Sequence, residues 1–153
     1  MYRLSHMALL GTLLLALNAC NAAPPPANNA RVDVPVAVTP APVQADKTTI
    51  IGQVLSASDN KPMSTVVRLA ELVEQNGKQV MYFDGARSPG TQTNQDGTFA
   101  IENIDVKKYI VVVGDVPNNN YVIISEAQDK ARIYETTAGA VTNVGELRVK
   151  LPA

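Results

Sequence analysis

Histidine and cysteine, the side chains most used for nucleophilic and metal chemistry, each occur once in this chain, as His6 and Cys20. A Ser–His–Asp or Cys–His site needs a histidine beside its nucleophile, and zinc sites need three or four nitrogen, sulfur or carboxylate ligands. Both residues lie among the first 20 of 153. The chemistry open to the chain therefore depends on what this N-terminal segment is.

The N-terminal segment has the order of a secretory signal peptide. Arg3 supplies a positive charge, residues 7–17 form an apolar run, and small residues lead to Cys20. An apolar run of 11 residues is too short to cross a bilayer, which takes about 20. We therefore expect residues 1–19 to be removed, and His6 with them. The mature chain then has no histidine for catalysis or for a metal, and we predict no catalytic residue and no cofactor.

The sequence Leu17-Asn18-Ala19-Cys20 resembles the bacterial lipoprotein box, although Asn18 replaces the usual Ser, Ala or Thr. The resemblance implies cleavage before Cys20, lipidation of its thiol, and attachment through lipid to a membrane outside the cytoplasm. Two or more acyl chains, such as palmitate, anchor a protein stably. The alternative is a secreted protein cut after Ala22 or Ala23, with Cys20 lost. Either way, a lone cysteine forms no internal disulfide.

Charge and composition describe the segment after Cys20. Without Arg3 the mature chain keeps 12 basic and 14 acidic side chains, a balance that argues against a nucleic-acid partner. Residues 20–47 contain six of the ten prolines and no aromatic residue, so we predict a disordered, extended linker. At ~3.1 Å per residue it reaches up to ~80 Å. Two Val-rich pieces within residues 32–38 leave open an added edge strand.

Residues 48–153 read as short strands separated by turns. Asn76-Gly77 predicts a hairpin into residues 80–83, and residues 94–97 predict a second tight turn. Residues 109–113 form a continuous apolar run, typical of a central strand buried on both faces. In the last strand Leu147, Val149 and Leu151 alternate with charged residues. We predict an all-β domain, an antiparallel Greek-key β-sandwich of about seven strands with Phe99 at the centre of its core.

Several segments in order resemble the carboxypeptidase regulatory-like domains, which are transthyretin-like or prealbumin-like β-sandwiches. They are residues 50–54, 61–69, 93–104, 109–113 and 143–149. Lys107, where these domains usually have glycine, and residues 74–92 depart from the pattern. The turn in residues 93–104 also resembles that of collagen-adhesin B-type repeats, but Val113 stands where the buried acid that assists their internal Lys–Asn isopeptide bond lies. The resemblance implies a fold and little about function.

Oxygen ligands for calcium occur in three predicted turns, at Asp59-Asn60, at Asn94 with Asp96, and at Asp115 with residues 118–120. None has the spacing of a dedicated calcium loop, and these residue types stabilise turns by themselves. We therefore predict no metal site.

The remaining candidates for binding are aromatic side chains, and tryptophan is not among them because the chain has none. A platform on which a sugar could stack would draw on Tyr82, Phe83, Tyr121 and Tyr134. Adjacent strand residues point to opposite faces, so one of Tyr82 and Phe83 is expected to be exposed. The sequence favours a non-catalytic, lipid-anchored cell-envelope protein whose sandwich is an interaction or structural module for an unknown envelope protein or glycan. The alternative is a carbohydrate-binding accessory module at the cell surface.

Overall fold

The computed structural model describes residues 38–126 and 130–152, which form nine β-strands. Within these residues no helix is long and apolar enough to span a bilayer. The strands are β1 (Lys47–Ser56), β2 (Val66–Gln75), β3 (Lys78–Tyr82), β4 (Gly90–Gln92), β5 (Thr98–Asp105), β6 (Lys108–Asp115), β7 (Asn120–Ile123), β8 (Ile133–Glu135) and β9 (Val141–Val149).

The strands form two sheets with the main core between them. One sheet has the order β5-β1-β9; the other has the order β3-β2-β6-β7, with β4 also pairing β2 and β8 also pairing β6. The predicted all-β sandwich is confirmed. It differs in two details: the described residues form nine strands, and β1 pairs with β9 in parallel rather than antiparallel. Because β9 returns from the far end of the chain, alternation within it reveals its buried face but not its direction.

The main core draws side chains from both sheets and surrounds Phe99, which is 1% exposed. Ile50 and Val54 of β1 and Leu147 and Val149 of β9 line one side. The other side comes from β2 and β6, chiefly Val67, Leu69, Tyr109, Val111 and Val113. As predicted, residues 109–113 of β6 are buried on both faces.

Gly52 of β1 lies directly opposite Phe99 of β5 in the strand register. A Cβ added at Gly52 would come within 2.6 Å of Val144 Cγ2 and 2.7 Å of Phe99 Cζ. The space that a side chain would fill is therefore occupied by the phenylalanine ring and by a valine of β9. The register of β1 with β9 also shifts next to Gly52, between Ile51 and Gln53. The missing side chain lets Phe99 of β5 and Val144 of β9 pack together over β1.

Both predicted turns are present. Asn76 (φ 53°) and Gly77 (φ 71°) join Gln75 to Lys78 as a two-residue turn with both residues at positive φ, the conformation of a type I′ hairpin. In the second turn, the Gly97 amide donates to the Asn94 carbonyl and the Asn94 amide to the Thr98 carbonyl. The strands on either side belong to different sheets, since β4 pairs β2 and β5 pairs β1. This turn therefore carries the chain across the sandwich.

The predicted signal peptide, Cys20 and most of the predicted linker lie outside the described residues, as do the Val-rich pieces up to residue 37. The end of the predicted linker, residues 38–46, contains no strand. Two of its backbone amides contact β5: the Ala41 amide donates to Glu102 Oε1 at 2.7 Å, and the Gln44 amide to Asn103 Oδ1 at 3.1 Å. The last residues before β1 are thus held against the sandwich.

Replacement of Phe99 tests the assignment of the core. Phe99→Ala should lower the free energy of unfolding by about 3–5 kcal/mol, because a buried phenylalanine leaves a cavity. Arg148→Ala on the exposed face of β9 is the control. Arg148 forms a surface ion pair with Glu146 (Nη2–Oε2, 2.7 Å), so its loss should cost less than about 1 kcal/mol. Urea unfolding curves that coincide for the two variants would contradict this assignment.

Candidate interaction surface

The β2–β3 hairpin extends beyond the sheet to which it belongs. β6 lies on one side of β2 and pairs only with its residues 67–71. β3 lies on the other side and pairs with residues 71–75. Residues 72–82, called the ribbon below, therefore form a two-stranded structure past the end of the β6 pairing. The tight Asn76-Gly77 turn fixes its register and keeps it short.

Apolar side chains on both faces of the ribbon are exposed. Val73 of β2 lies opposite Val80 of β3, and the two are 37% and 40% exposed. On the other face Met81, 41% exposed, lies opposite Leu72. Tyr82 at the end of β3 is 52% exposed. Four of the six large hydrophobic side chains that are exposed in the described part of the chain lie in this one element.

A second apolar group covers the outer face of the six-stranded sheet, and we call it the outer cluster. Its buried centre is Ala70 of β2 with Ile110 and Val112 of β6. Around it lie partly exposed apolar side chains, namely Leu72, Phe83, Val116, Tyr121, Ile123, Ala131 and Ile133. Leu72 belongs to both the ribbon and this cluster, so an apolar surface continues from the sheet onto the hairpin.

The four aromatic residues predicted as a binding platform occupy three different places. Tyr134 is 7% exposed and belongs to the main core, with the Arg132 guanidinium 5.2 Å from its ring centroid. Phe83 and Tyr121 both pack against the outer cluster and are half-buried. Tyr82 is the exposed member. It pairs with Glu71 in the strand register and points to the face of the hairpin opposite to that of Leu72. The fold brings Phe83 and Tyr121 to one cluster and leaves Tyr82 and Tyr134 apart from them.

Lys107 takes part in a chain of charges at the β5–β6 turn. Its Nζ lies 2.8 Å from Glu71 Oε2 and 3.6 Å from Asp105 Oδ2, while Lys47 Nζ lies 2.8 Å from Asp105 Oδ1. The hydrogen bond with Glu71 raises the pKa of Lys107, and that with Asp105 raises the pKa of Lys47. The hydrogen bond from Lys47 in turn lowers the pKa of Asp105. Lys107 thus supplies an ion pair where the ribbon leaves the sheet.

The carboxylates considered as calcium ligands bond within their own turns. Asp96 Oδ1 accepts hydrogen bonds from the Thr98 hydroxyl (2.6 Å) and amide (3.0 Å), and the hydroxyl bond is the main reason that its pKa is lowered. Asp115 Oδ2 accepts from Asn118 Nδ2 at 2.6 Å. Across residues 38–126 and 130–152, no three His, Cys, Asp or Glu side chains come together as a metal site.

The residues that make the ribbon an exposed apolar surface were not identified as a site from sequence. They are Leu72, Val73, Val80 and Met81. A signal for Val80 and Met81 exists, because residues 80–83 are consecutively apolar and begin two residues after the Asn76-Gly77 turn. Since neighbouring strand residues point to opposite faces, such a run cannot be buried by one sheet packing on one core.

Comparison with known proteins gives similarity to solved structures only, since no family model and no curated protein matches the chain. A DUF3823 family protein from Bacteroides uniformis is 22% identical, with a TM-score of 0.41 over 69% of this chain and 43% of its own. The pilus 2b backbone protein of group B streptococcus is 12% identical (TM-score 0.40; 67% and 40%). A 9R-lipoxygenase from Cyanothece is 14% identical (TM-score 0.39; 68% and 16%). The chain thus spans less than half of each of these proteins.

Tyr109 gives the region around Glu71 a pH dependence that can be measured. Its hydroxyl donates to the Asp105 carbonyl at 2.9 Å, and burial, helped by the charges of Glu71 and Asp105, raises its pKa from 10.0 to about 12. The folded state favours the neutral phenol, so this contribution to stability is complete below pH 10 and is lost as pH rises to 12.

We expect the free energy of unfolding of the unmodified protein to fall between pH 10 and pH 12 by about 2 kcal/mol more than that of Tyr109→Phe, at ~1.4 kcal/mol per pKa unit. Urea titrations at the two pH values measure the difference. Tyr82→Phe, which removes the hydroxyl of an exposed tyrosine, is the matched control for the loss of a hydroxyl. Equal falls for the unmodified protein and Tyr109→Phe would show that Tyr109 ionises alike in the folded and unfolded states.

Proposed function

We propose that this chain is a non-catalytic protein of the bacterial cell envelope, anchored by lipid on Cys20, whose β-sandwich is an interaction or structural module. The role as a module is supported by the ribbon, which exposes Val73, Val80, Met81 and Tyr82 together. Apolar residues concentrated on one projecting element are typical of a surface that contacts another molecule.

The anchor is supported by the sequence that precedes the sandwich. The lipoprotein-box resemblance ends at Cys20, and residues 21–46 are rich in proline and contain no aromatic residue. A lipid on Cys20 followed by an extended chain over residues 21–40 would hold the sandwich up to ~60 Å from the membrane, because the amides of Ala41 and Gln44 are already bonded to β5. This arrangement gives an interaction module access to molecules in the envelope without contact between the sandwich and lipid.

The non-catalytic role is supported by the side chains that remain. After signal cleavage the chain has no histidine, and its one cysteine carries the lipid. General acid–base catalysis by paired carboxylates is then the route left open. Asp96 and Asp115 bond within their own turns, and Asp105 bonds to Lys47 of β1, which are structural uses of these carboxylates.

The carbohydrate-binding alternative needs aromatic rings presented on one surface. Of the four candidates, Tyr82 is the one that is more than half exposed, and Phe83 and Tyr121 are half-buried in the outer cluster. This placement favours a protein-interaction module. Binding of the purified chain to a polysaccharide on a glycan array, abolished by Tyr82→Ala, would favour the alternative.

The anchor is tested by metabolic labelling with radioactive palmitate in an expressing bacterium. The unmodified chain should be labelled and fractionate with membranes, whereas Cys20→Ala should lose the label because no thiol remains to carry the diacylglycerol. Asn18→Ala, which restores a residue usual in the lipoprotein box, is the matched control and should keep the label. Label of equal strength in Cys20→Ala and the unmodified chain, or an unlabelled chain released to the medium, would refute the anchor.

A further inference from the structure

The outer edge of β3 presents backbone groups that no other strand of the described chain pairs with. In the type I′ turn the Lys78 amide faces the Gln75 carbonyl, and backbone direction then alternates along the strand. Lys78, Val80 and Tyr82 therefore direct their N–H and C=O groups toward β2. Gln79 and Met81 direct theirs away from the sheet.

β3 lacks the features that usually prevent edge strands from pairing, which are central charges, prolines and bulges. Its one charged residue, Lys78, lies at its end, and all five of its residues are exposed. The edge strands of the other sheet differ: β5 contains Glu102 and Asp105, and β9 contains Glu146 and Arg148. Charged residues thus oppose pairing at the edges of the smaller sheet but not along the middle of β3.

We propose that β3 pairs antiparallel with β3 of a second copy of this chain, about a two-fold axis at Val80. In this register Gln79 faces Met81 of the second copy, and Met81 faces its Gln79. Both residues direct their backbone groups outward, so each of these two pairs exchanges two hydrogen bonds. Val80 faces Val80 as the non-hydrogen-bonded pair between them. The inference rests on the proposed role as an interaction module and names the partner of that module.

Side chains complement each other in the same register. Val73 already lies opposite Val80, so pairing extends this contact into a row of four valines across four strands. Residues directly opposite in antiparallel strands are close enough for such apolar pairs to stabilise the sheet. On the same face Lys78 comes opposite Tyr82 of the second copy, once on each side of the valine row. An ammonium group beside a tyrosine ring is a favourable cation–π arrangement.

Charge favours the antiparallel arrangement over the parallel one. In-register parallel pairing would set the two Lys78 ammonium groups directly opposite each other, which is unfavourable. Antiparallel pairing about Val80 separates them by four residues along the strand, roughly 14 Å at ~3.4 Å per residue. That distance exceeds the Debye length of about 8 Å at physiological salt. Lipid anchors on one membrane would further raise the effective concentration of copies.

Cysteine cross-linking in cells tests the register. Paired about Val80, the two copies place their Val80 Cα atoms about 4.5 Å apart, within the range that a disulfide bridges. Val80→Cys should therefore give a dimer on copper–phenanthroline oxidation, detected on non-reducing gels. Val73→Cys is the matched control, because Val73 shares the face and has similar exposure. Its two copies would lie three strand spacings apart, roughly 14 Å, too far for a disulfide.

The unmodified chain, whose sole cysteine is Cys20, sets the background. A Val80→Cys dimer at least tenfold above both the Val73→Cys and background levels is expected. Dimer yields from Val80→Cys no higher than those from Val73→Cys would overturn the proposal. Palmitate labelling reads the anchor separately, so a labelled chain without a Val80 cross-link would reject this partner while leaving the anchor intact.

A charge placed on the axis gives a second test that needs no added thiol. Val80→Lys sets two ammonium groups opposite each other and should sediment as a monomer when the detergent-purified full chain is studied by ultracentrifugation. Val141→Lys replaces a valine of similar exposure at the start of β9 and should sediment as a dimer, like the unmodified chain. An unmodified chain that stays monomeric at every concentration, or a dimeric Val80→Lys, contradicts the proposal.

Discussion

The contact of the Phe99 ring with the backbone of β1 at Gly52 is the constraint on which the sandwich depends. A methyl group at Gly52 would lie 2.7 Å from Phe99 Cζ and 2.6 Å from Val144 Cγ2, so the Phe99 ring and Val144 pack over β1 at this position because it has no side chain. Close packing of this kind leaves no room for adjustment. The inner face of the three-stranded sheet packs against β2 and β6, and this contact stabilises the larger sheet.

The extension of the larger sheet explains where an interaction surface can exist. β6 is buried on both faces, by the main core on one side and by the outer cluster on the other. β2 shares this environment only as far as Glu71, where its pairing with β6 ends and Lys107 supplies an ion pair. Beyond that residue β6 no longer pairs with β2, and Val73 and Val80 of the ribbon are 37% and 40% exposed. β2 continues to Gln75, past the last residue that pairs with β6, and this extra length leaves the apolar side chains of the ribbon exposed.

The features predicted correctly from sequence are local ones. They are the Asn76-Gly77 turn, the doubly buried run in β6 and the alternation in β9, each of which depends on residues adjacent in the chain. The central core position of Phe99 is predicted from the turn that precedes it and from the strand face on which it lies. The unpredicted features require knowledge of partners far away. These are the assignment of β4 and β5 to different sheets, the parallel β1–β9 pairing, and the end of the β6 pairing that leaves the ribbon exposed. Lipidation of Cys20 stays a prediction.

Amide hydrogen exchange measured by NMR over a range of protein concentrations tests most directly whether the β3 edge is the interaction surface. In dilute solution the amides of Gln79 and Met81 should exchange rapidly while those of Val80 and Tyr82, directed toward β2, are protected. As concentration rises, Gln79 and Met81 should become protected, with the amides of the buried core residues Phe99 and Val111 unchanged. Rapid exchange of Gln79 and Met81 at every concentration would contradict the account.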